Sequence, residues 1–538
     1  MNKLSEQFPR QSKIEFEKYN TKIILEFLWW VWDKEKGVSL TWSATKLTII
    51  KPNGEKTVWI IDFWMFQWWE HDLEYNEVLP FDLSKIEFVI ATHTHLDHIG
   101  KMLHLGKKEF MWNIWTTKIN KDVLYTMLND VIKNQPENTI SEEEKILSKI
   151  ENYKLIRDKL AKALWDKNDG VQQMDNEIID LELEYKEILE NFKNKEKQFF
   201  DSQDLMFLIW KINSVNYYEK FEVKNDIQVS FIPAGHLPGS SQSILKIKVW
   251  KNKFINIGFS WDLWKLKNPA IWWAPEISKE KLDMYMVEST YAWRHHPEVN
   301  EQENKLVEQI NKTIKKWWKI IIPVFMQWRA QEVTLFIKSL INNWKIAEIP
   351  VFYHSENIEN INNIYSRYLP KHFNILTKWN TLRKAKTWKW KNTKFNFENY
   401  KKSAILLASG GMISWWSILN YLNYLQDSKN LFISMWYQAS WTLWNEIFYQ
   451  KKWEIEIPNE GKIQVNANLT SFEWFSWHAD EQDLLQLISQ MSFSKDAKVI
   501  INHGEKSPEQ LTFWLAIKWI IGRTKEVLFA DFNENLYK

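Results

Sequence analysis

The stretch ATHTHLDHIG, Ala91 to Gly100, holds His93, His95, Asp97 and His98 within six positions. It follows IEFVI, a short continuous apolar run of the kind that forms a buried strand. Alternate residues at the end of a strand point to opposite faces, but a loop leaving it can turn all four side chains inward. Three imidazoles and a carboxylate so close would be stranded as buried polar groups unless a cation gathers them. The chain has no Cys, which excludes disulfides and thiolate sites and leaves His and carboxylates as the strong metal ligands. Whatever fold forms must therefore bring the end of a buried strand to a metal site.

Runs such as KLTII, TVWIID, IQVSFIPAGH, KFINIGFS, LDMYMVEST, KIIIPVF, AILLAS and KVIINHGE recur along the sequence and alternate with helical periods. That pattern predicts stacked mixed sheets covered by helices, an α/β or α+β class. With 538 residues, 45% of them apolar, the chain can build two or three domains with full-sized cores. About residues 140–198 the texture changes. Ile146, Ile150, Tyr153, Ile156 and Leu160, then Val171, Met174, Ile178, Leu181, Tyr185, Ile188 and Phe192, run at heptad spacing on either side of WDKNDG. Ser141 with Glu144 has capping-box spacing, so an inserted antiparallel helical hairpin is expected.

Lys plus Arg is 70 and Asp plus Glu is 68, a net charge of +2, so a polyanion-binding surface would have to be local. Lys371 to Lys402 carries ten basic residues against Glu398 alone, and reads equally as a phosphate-contacting segment or a solvated face. No apolar run reaches the roughly 18–20 residues of a membrane span, and the polar start MNKLSEQFPRQSK lacks the apolar core of a signal peptide. The expectation is a cytoplasmic protein without a membrane partner.

The His-x-His-x-Asp-His motif after a strand resembles the metallo-β-lactamase fold. Asp62 at the end of TVWIID, His236 in AGHLPGSS and Asp262 in FSWDLW resemble its remaining metal-site motifs. Glu288 in VESTY, His478 in FSWHAD and His503 in INHGE resemble the extra motifs of the β-CASP branch, the nucleases of RNA processing and DNA repair. The resemblance implies an αββα sandwich with an inserted α/β β-CASP domain. It places a tail at 1–20, the first part of the metallo-β-lactamase domain at 21–287, the β-CASP domain at 288–457 and the second part of the first domain at 458–538. It further implies two zinc ions, one held by His93, His95 and His236 and the other by Asp97, His98 and His503, with Asp262 bridging both. Asp62 is then an acceptor that orients a ligating His. Such a pair can turn water into hydroxide and hold both oxygens of a displacement at phosphorus. His478 is implied as general acid, oriented by Glu288.

Ser409, Gly410 and Gly411 in LLASGGMIS follow a strand where backbone N–H groups could meet a phosphate, and an ordinary tight turn reads as well. Arg329 in MQWRAQE suits a phosphate contact or a tie within the inserted domain. His354 stands where the branch has Asp-Ser-Pro and is read as structural. His295 and His296, just after the Glu288 motif, are placed along the cleft. The implied activity is a zinc-dependent ribonuclease in RNA processing or decay, more an endonuclease than a 5′-exonuclease, with RNA as partner and a homodimer left open. The alternatives are a DNA-repair nuclease of the same branch, against which His503 counts, and a non-catalytic RNA-binding scaffold, against which the full set of seven ligands counts.

One count is abnormal. Trp is 35 and Gly is 13, against about 7% Gly, or roughly 38, at average usage. The resembling motifs carry glycine at many places where this sequence has Trp: 64, 68, 69, 261, 264, 293, 328, 415, 416, 436, 441, 444, 474 and 477. Glycine serves at such places because φ is positive or backbones approach closely, which an indole resists. The expectation is a gene that decodes UGA as glycine, written out with Trp at those codons, with Trp platforms for stacked bases as the other reading.

Overall fold

The computed structural model describes residues 10–11, 13–28, 44–63, 79, 81–106, 110–133, 200–266, 274–292, 295–296, 299–316, 318–371, 373–374, 382–384, 397–398, 400–410, 417–435, 442–457, 461–472, 478–503, 510–522 and 525–530. The expected helical hairpin at 140–198 lies outside them, as does most of the basic segment 371–402.

Two sheets face each other. The first has seven strands in chain order, Lys13–Lys18, Thr21–Phe27, Thr45–Ile50, Lys56–Ile61, Phe88–Ile90, Asn113–Thr117 and Ile212–Val215. The second runs in spatial order Arg10–Gln11, Glu526–Ala530, Phe493–Asn502, Leu282–Glu288, Lys253–Phe259, Ser241–Trp250, Ile227–Pro233 and Lys220–Lys224. Alternation along the strands fixes which face is buried: Thr21–Phe27 buries every other residue fully, as period-two side chains require. Ile23, Leu25, Trp59 and Phe88 of the first sheet meet Phe231, Ile257 and Met284 of the second in one core. Helices Lys118–Lys133 and Ser202–Lys211 cover the outer face of the first sheet, and Glu481–Gln490 with Gln510–Ile521 cover that of the second. This is the αββα sandwich of the metallo-β-lactamase fold.

Between Glu288 and the return of the chain stands a third, six-stranded parallel sheet, in the order Leu382–Lys384, Val351–His354, Ala404–Ser409, Lys319–Val324, Leu431–Ser434 and Asn468–Ser471. Its last strand comes from beyond residue 457, where the inserted domain was expected to end. Lys13–Lys18, inside the expected tail, is a full strand of the first sheet. The helix Glu356–Tyr368 of the inserted domain docks on Lys118–Lys133, where Arg367 pairs with Asp122 at 3.1 Å and Tyr368 donates its hydroxyl to the same carboxylate at 3.0 Å.

The strands that carry site residues end together. Lys56–Ile61 is parallel to Phe88–Ile90, and Lys253–Phe259, Leu282–Glu288 and Phe493–Asn502 are parallel to one another. Their C-terminal ends therefore open on one rim of the sandwich. Asp62 (φ 59°), Trp261 (φ 47°) and His503 (φ 52°) leave those ends in left-handed backbone, a conformation that costs a non-glycine residue about 1–3 kcal/mol and collects at functional sites.

Among the described Trp positions expected to be glycine, Trp261 and Trp328 (φ 68°) are left-handed, while Trp264 and Trp444 are not. Trp444 lies in the helix Leu443–Phe448, buried between Phe432 and Phe448, and donates its indole N–H to Gly410 O at 3.2 Å. Trp344 (φ 59°), which the motifs did not point to, joins the left-handed group. Trp64, Trp68, Trp69, Trp293, Trp415, Trp416, Trp436, Trp441, Trp474 and Trp477 lie outside the described residues.

Candidate metal centre

The loop after Phe88–Ile90 turns into a single helical turn, Leu96–Ile99, which swings His98 back beneath His93. His236 arrives through Gly235 (φ 77°), where a Cβ would stand 2.9 Å from Pro275 N, so only glycine allows that approach. Asp262 follows Lys253–Phe259 and His503 follows Phe493–Asn502. These elements bring all seven expected ligands together. His93, His95, His236 and Asp262 form one group, and Asp97, His98 and His503 another, with the ligand atoms of each within 4.8 Å of one another. Asp262 lies between them: its Oδ2 is 3.5 Å from His93 Nε2, 3.5 Å from His236 Nε2 and 3.4 Å from His98 Nε2, and its Oδ1 is 3.6 Å from His503 Nδ1.

Hydrogen bonds select the tautomers. Thr92 donates its N–H (2.8 Å) and hydroxyl (2.6 Å) to Asp62, and Asp62 Oδ2 accepts from His98 Nδ1 at 2.7 Å. Thr92 Oγ1, with its proton so committed, accepts from His93 Nδ1 at 3.2 Å. The Nε2 atoms of His93 and His98 are thereby left to face Asp262. Asp62, fully buried, has its oxygens engaged by Thr92 and His98, which suits an orienting acceptor better than a ligand.

The donor set fits a cation. His93 Nε2, His95 Nδ1 and His236 Nε2 converge, with His95 3.2 Å from each of the other two. Asp262 Oδ1 and His503 Nε2 are buried with no hydrogen-bond partner among the described residues, a condition that costs about 1–3 kcal/mol per group unless something else binds it. Burial drives His93 and His236 well below their ordinary range, and His95 down to about 3. Burial also pushes His503 down to about 4. Neutral imidazoles are the ligating form. Burial opposes charge at His98, but Asp262, Asp62 and Asp97 favour it and raise that ring well above the usual histidine range, so three carboxylates call here for a positive charge that a bound cation would supply in place of the ring proton.

Beside the cluster, His478 donates Nδ1–H to Glu288 Oε2 at 2.7 Å, and its Nε2 lies 3.9 Å from Asp262 Oδ2. Glu288 also accepts from Leu263 N at 2.5 Å, which ties it to the residue after Asp262. Burial disfavours the charge on His478, yet Glu288 and Asp262 raise it to about 9. Thr290 contacts His503 Nδ1 at 2.7 Å, and Gln327 of the inserted domain donates to the hydroxyl of Thr94, between two of the histidines. Neither residue was singled out in the sequence. Threonine and glutamine carry no spacing signature, and only the fold brings them here.

The residues offered as substrate contacts or as local ties make local contacts. Arg329 is buried and paired with Glu332 at 2.8 Å. Ser409 is buried with its hydroxyl 2.7 Å from that of Ser417, and the N–H of Gly410 is donated to Val324 O at 3.0 Å. Gly411 lies outside the described residues. His354 stands on the same rim of the inserted sheet, edge-on to Tyr421.

Comparison with known proteins agrees with this layout. A family profile described as the Beta-Casp domain matches residues 330–447, and one described as a Zn-dependent metallo-hydrolase RNA specificity domain matches residues 462–512. The chain is 30% identical over 335 residues to an RNase J-like protein of Methanocaldococcus jannaschii, covering 59% of this chain and 74% of that one. It is 28% identical to a transcription termination factor of the same organism and spans 60% of that protein's length. A ribonuclease of Thermus thermophilus aligns at 22% identity over 89% of this chain and 94% of its own. Among solved structures, a subclass B3 metallo-β-lactamase of Bradyrhizobium japonicum aligns over 51% of this chain and 76% of its own at 12% identity, with a TM-score of 0.23, too low to carry an argument. Among the described residues no helix is long and apolar enough to cross a membrane. With its expected ligands gathered on one rim, its inserted parallel sheet, the two family profiles and the RNase J-like relative, the chain belongs to the β-CASP ribonucleases, the RNA-processing metallo-hydrolases of the metallo-β-lactamase fold.

Proposed function

We propose that this chain hydrolyses RNA phosphodiester bonds internally, leaving 5′-phosphate and 3′-hydroxyl ends. The observation that carries the reading is the convergence of His93, His95, His236, Asp97, His98 and His503 around Asp262, with the His478–Glu288 pair alongside. The first three would hold one zinc ion and the second three another, with Asp262 shared. When bound, the metal supplies Lewis acidity, lowering the pKa of water and neutralising charge that develops on the phosphate. Asp62 and Thr92 keep His98 and His93 in the tautomers that present Nε2. His478, raised to about 9, is protonated at neutral pH and gives its Nε2 proton to the departing 3′ oxygen, while Glu288 stabilises the cationic ring and fixes its orientation. Asp262 takes up no proton in this scheme. Burial favours its neutral form, but His98 first and His478 after it hold it well below the usual carboxylate range.

The test is His478→Ala on a structured RNA. Cleavage should fall by about 10²–10⁴-fold, the usual contribution of a general acid, with zinc content by elemental analysis unchanged. Full cleavage in the variant removes His478 from the mechanism. Parallel assays on DNA of the same sequence and on RNA ends separate this reading from a repair nuclease and from an exonuclease.

A further inference from the structure

The loop after Glu288 does more than leave the first domain. Tyr291 forms a bridge with Asp480, the N-cap of the helix Glu481–Gln490, and His296 donates its backbone N–H to the Asp480 carboxylate at 3.2 Å. The His296 side chain then reaches back so that Nε2 lies 2.9 Å from the backbone carbonyl of His478. A carbonyl only accepts, so Nε2 carries the proton and Nδ1 carries the lone pair. Nδ1 is buried with no hydrogen-bond partner among the described residues. Burial, with Lys265 nearby, pushes His296 down to about 4, so the ring stays neutral at working pH. The Tyr291 ring stacks against both, 5.3 Å and 16° from His296 and 6.4 Å and 8° from His478.

We infer that His296 is a positioning residue, holding the backbone of His478 so that its ring meets Glu288 on one side and the leaving oxygen on the other. The inference rests on His478 acting as the general acid. The geometry supports it in three ways. The hydrogen bond is to the main chain of the acid itself. The parallel rings fix its plane. The neighbouring contact of His296 with Asp480 anchors the same short segment from its other end. A ring free to tilt by tens of degrees would lose alignment with the leaving group, and catalytic groups need placement within about 10–20°.

The experiment compares His296→Phe, His296→Gln and His478→Ala on two substrates, RNA and bis(4-nitrophenyl) phosphate, with zinc content measured for each. The nitrophenolate leaving group needs no proton, so loss of general-acid catalysis spares the aryl diester and damages RNA cleavage. His296→Phe should lower kcat on RNA by about 10–100-fold with KM unchanged, and leave aryl diester hydrolysis and zinc content as in the parent. His296→Gln, whose amide can donate to the same carbonyl, should restore most of the RNA activity. The inference is overturned if His296→Phe cleaves RNA at the parental rate, if it loses both substrates or its zinc alike, or if His296→Gln is as impaired as His296→Phe. His478→Ala separates the two levels: if it does not show the same RNA-selective loss, the general-acid reading itself fails, and the inference with it.

Discussion

Replacing Trp344 by Gly should make this protein more stable, although it deletes the largest side chain in the repertoire. The helix Arg329–Asn342 ends in a Schellman motif: Lys345 N–H bonds to Leu340 O at 2.9 Å and Trp344 N–H to Ile341 O at 3.0 Å. Trp344 occupies the position just past the cap, with φ 59°, and is 94% exposed. A side chain there costs about 1–2 kcal/mol through its Cβ, and glycine returns about 0.5–1 kcal/mol as extra freedom of the unfolded chain. No packing is lost, so the net gain is about 0.5–1 kcal/mol, or a rise in melting temperature of about 2 °C for a cooperative unit the size of the inserted domain. Scanning calorimetry of three variants checks this. Trp344→Gly should melt higher than the parent. Trp344→Ala keeps a Cβ and should gain little. Trp59→Gly, which empties a fully buried site in the middle of a strand, should cost about 3–5 kcal/mol. Equal melting of Trp344→Gly and Trp344→Ala would refute the backbone argument. The gene offers a second check: the recoding reading expects UGA at Trp261, Trp328 and Trp344, and UGG at those codons ends it.

Asp62→Ala should weaken zinc binding by about 10–100-fold, because His98 Nδ1 and Thr92 lose their acceptor; competition with a chelator reads this directly, and unchanged affinity would show that Asp62 orients nothing. Asp483, in the first turn of Glu481–Gln490, is raised from 3.8 to about 6, by burial first and by Asp480 second. Its folded form thus holds a proton that the unfolded chain has released, so its contribution to stability falls as pH rises from about 4 to about 6. Asp483→Asn should raise the melting temperature at pH 7.5 relative to the parent and not at pH 4. The same gain at both pH values would rule out this linkage.

The cluster of proposed ligands from His93 to His98 was legible in the residues themselves, because four ligating side chains follow a short apolar run within a few positions. Asp62, His236, Asp262 and His503 stand alone in their segments, and only the resemblance to the β-CASP motifs pointed to them. What holds those ligands was not legible. Thr92, Thr290 and Gln327 act through contacts made by chain segments far apart in sequence, and the left-handed turns at Asp62 and His503 are properties of backbone alone. The edges of the sheets were hard for a related reason. Asn468–Ser471 is polar and only half-buried, so nothing in NLTS marks it as the last strand of the inserted sheet. Lys13–Lys18 does alternate, with Ile14 and Phe16 buried, but its polar surroundings read as a tail. Trp344 was missed because it lies outside every motif, and only its dihedral angle distinguishes it.

The second sheet takes Phe493–Asn502 between Leu282–Glu288 and Glu526–Ala530, and this ordering has a consequence during synthesis. About 240 residues separate Asp262 from His503, and at roughly 5–20 residues per second they take some 10–50 seconds to translate. Until that strand has emerged, the nascent chain presents His93, His95 and His236 without His503, and for most of that time without His478. If His478 is the acid and His503 a ligand, as proposed, a nascent chain holds the first cluster of histidines well before it holds either, and could not cut RNA until His503 has emerged.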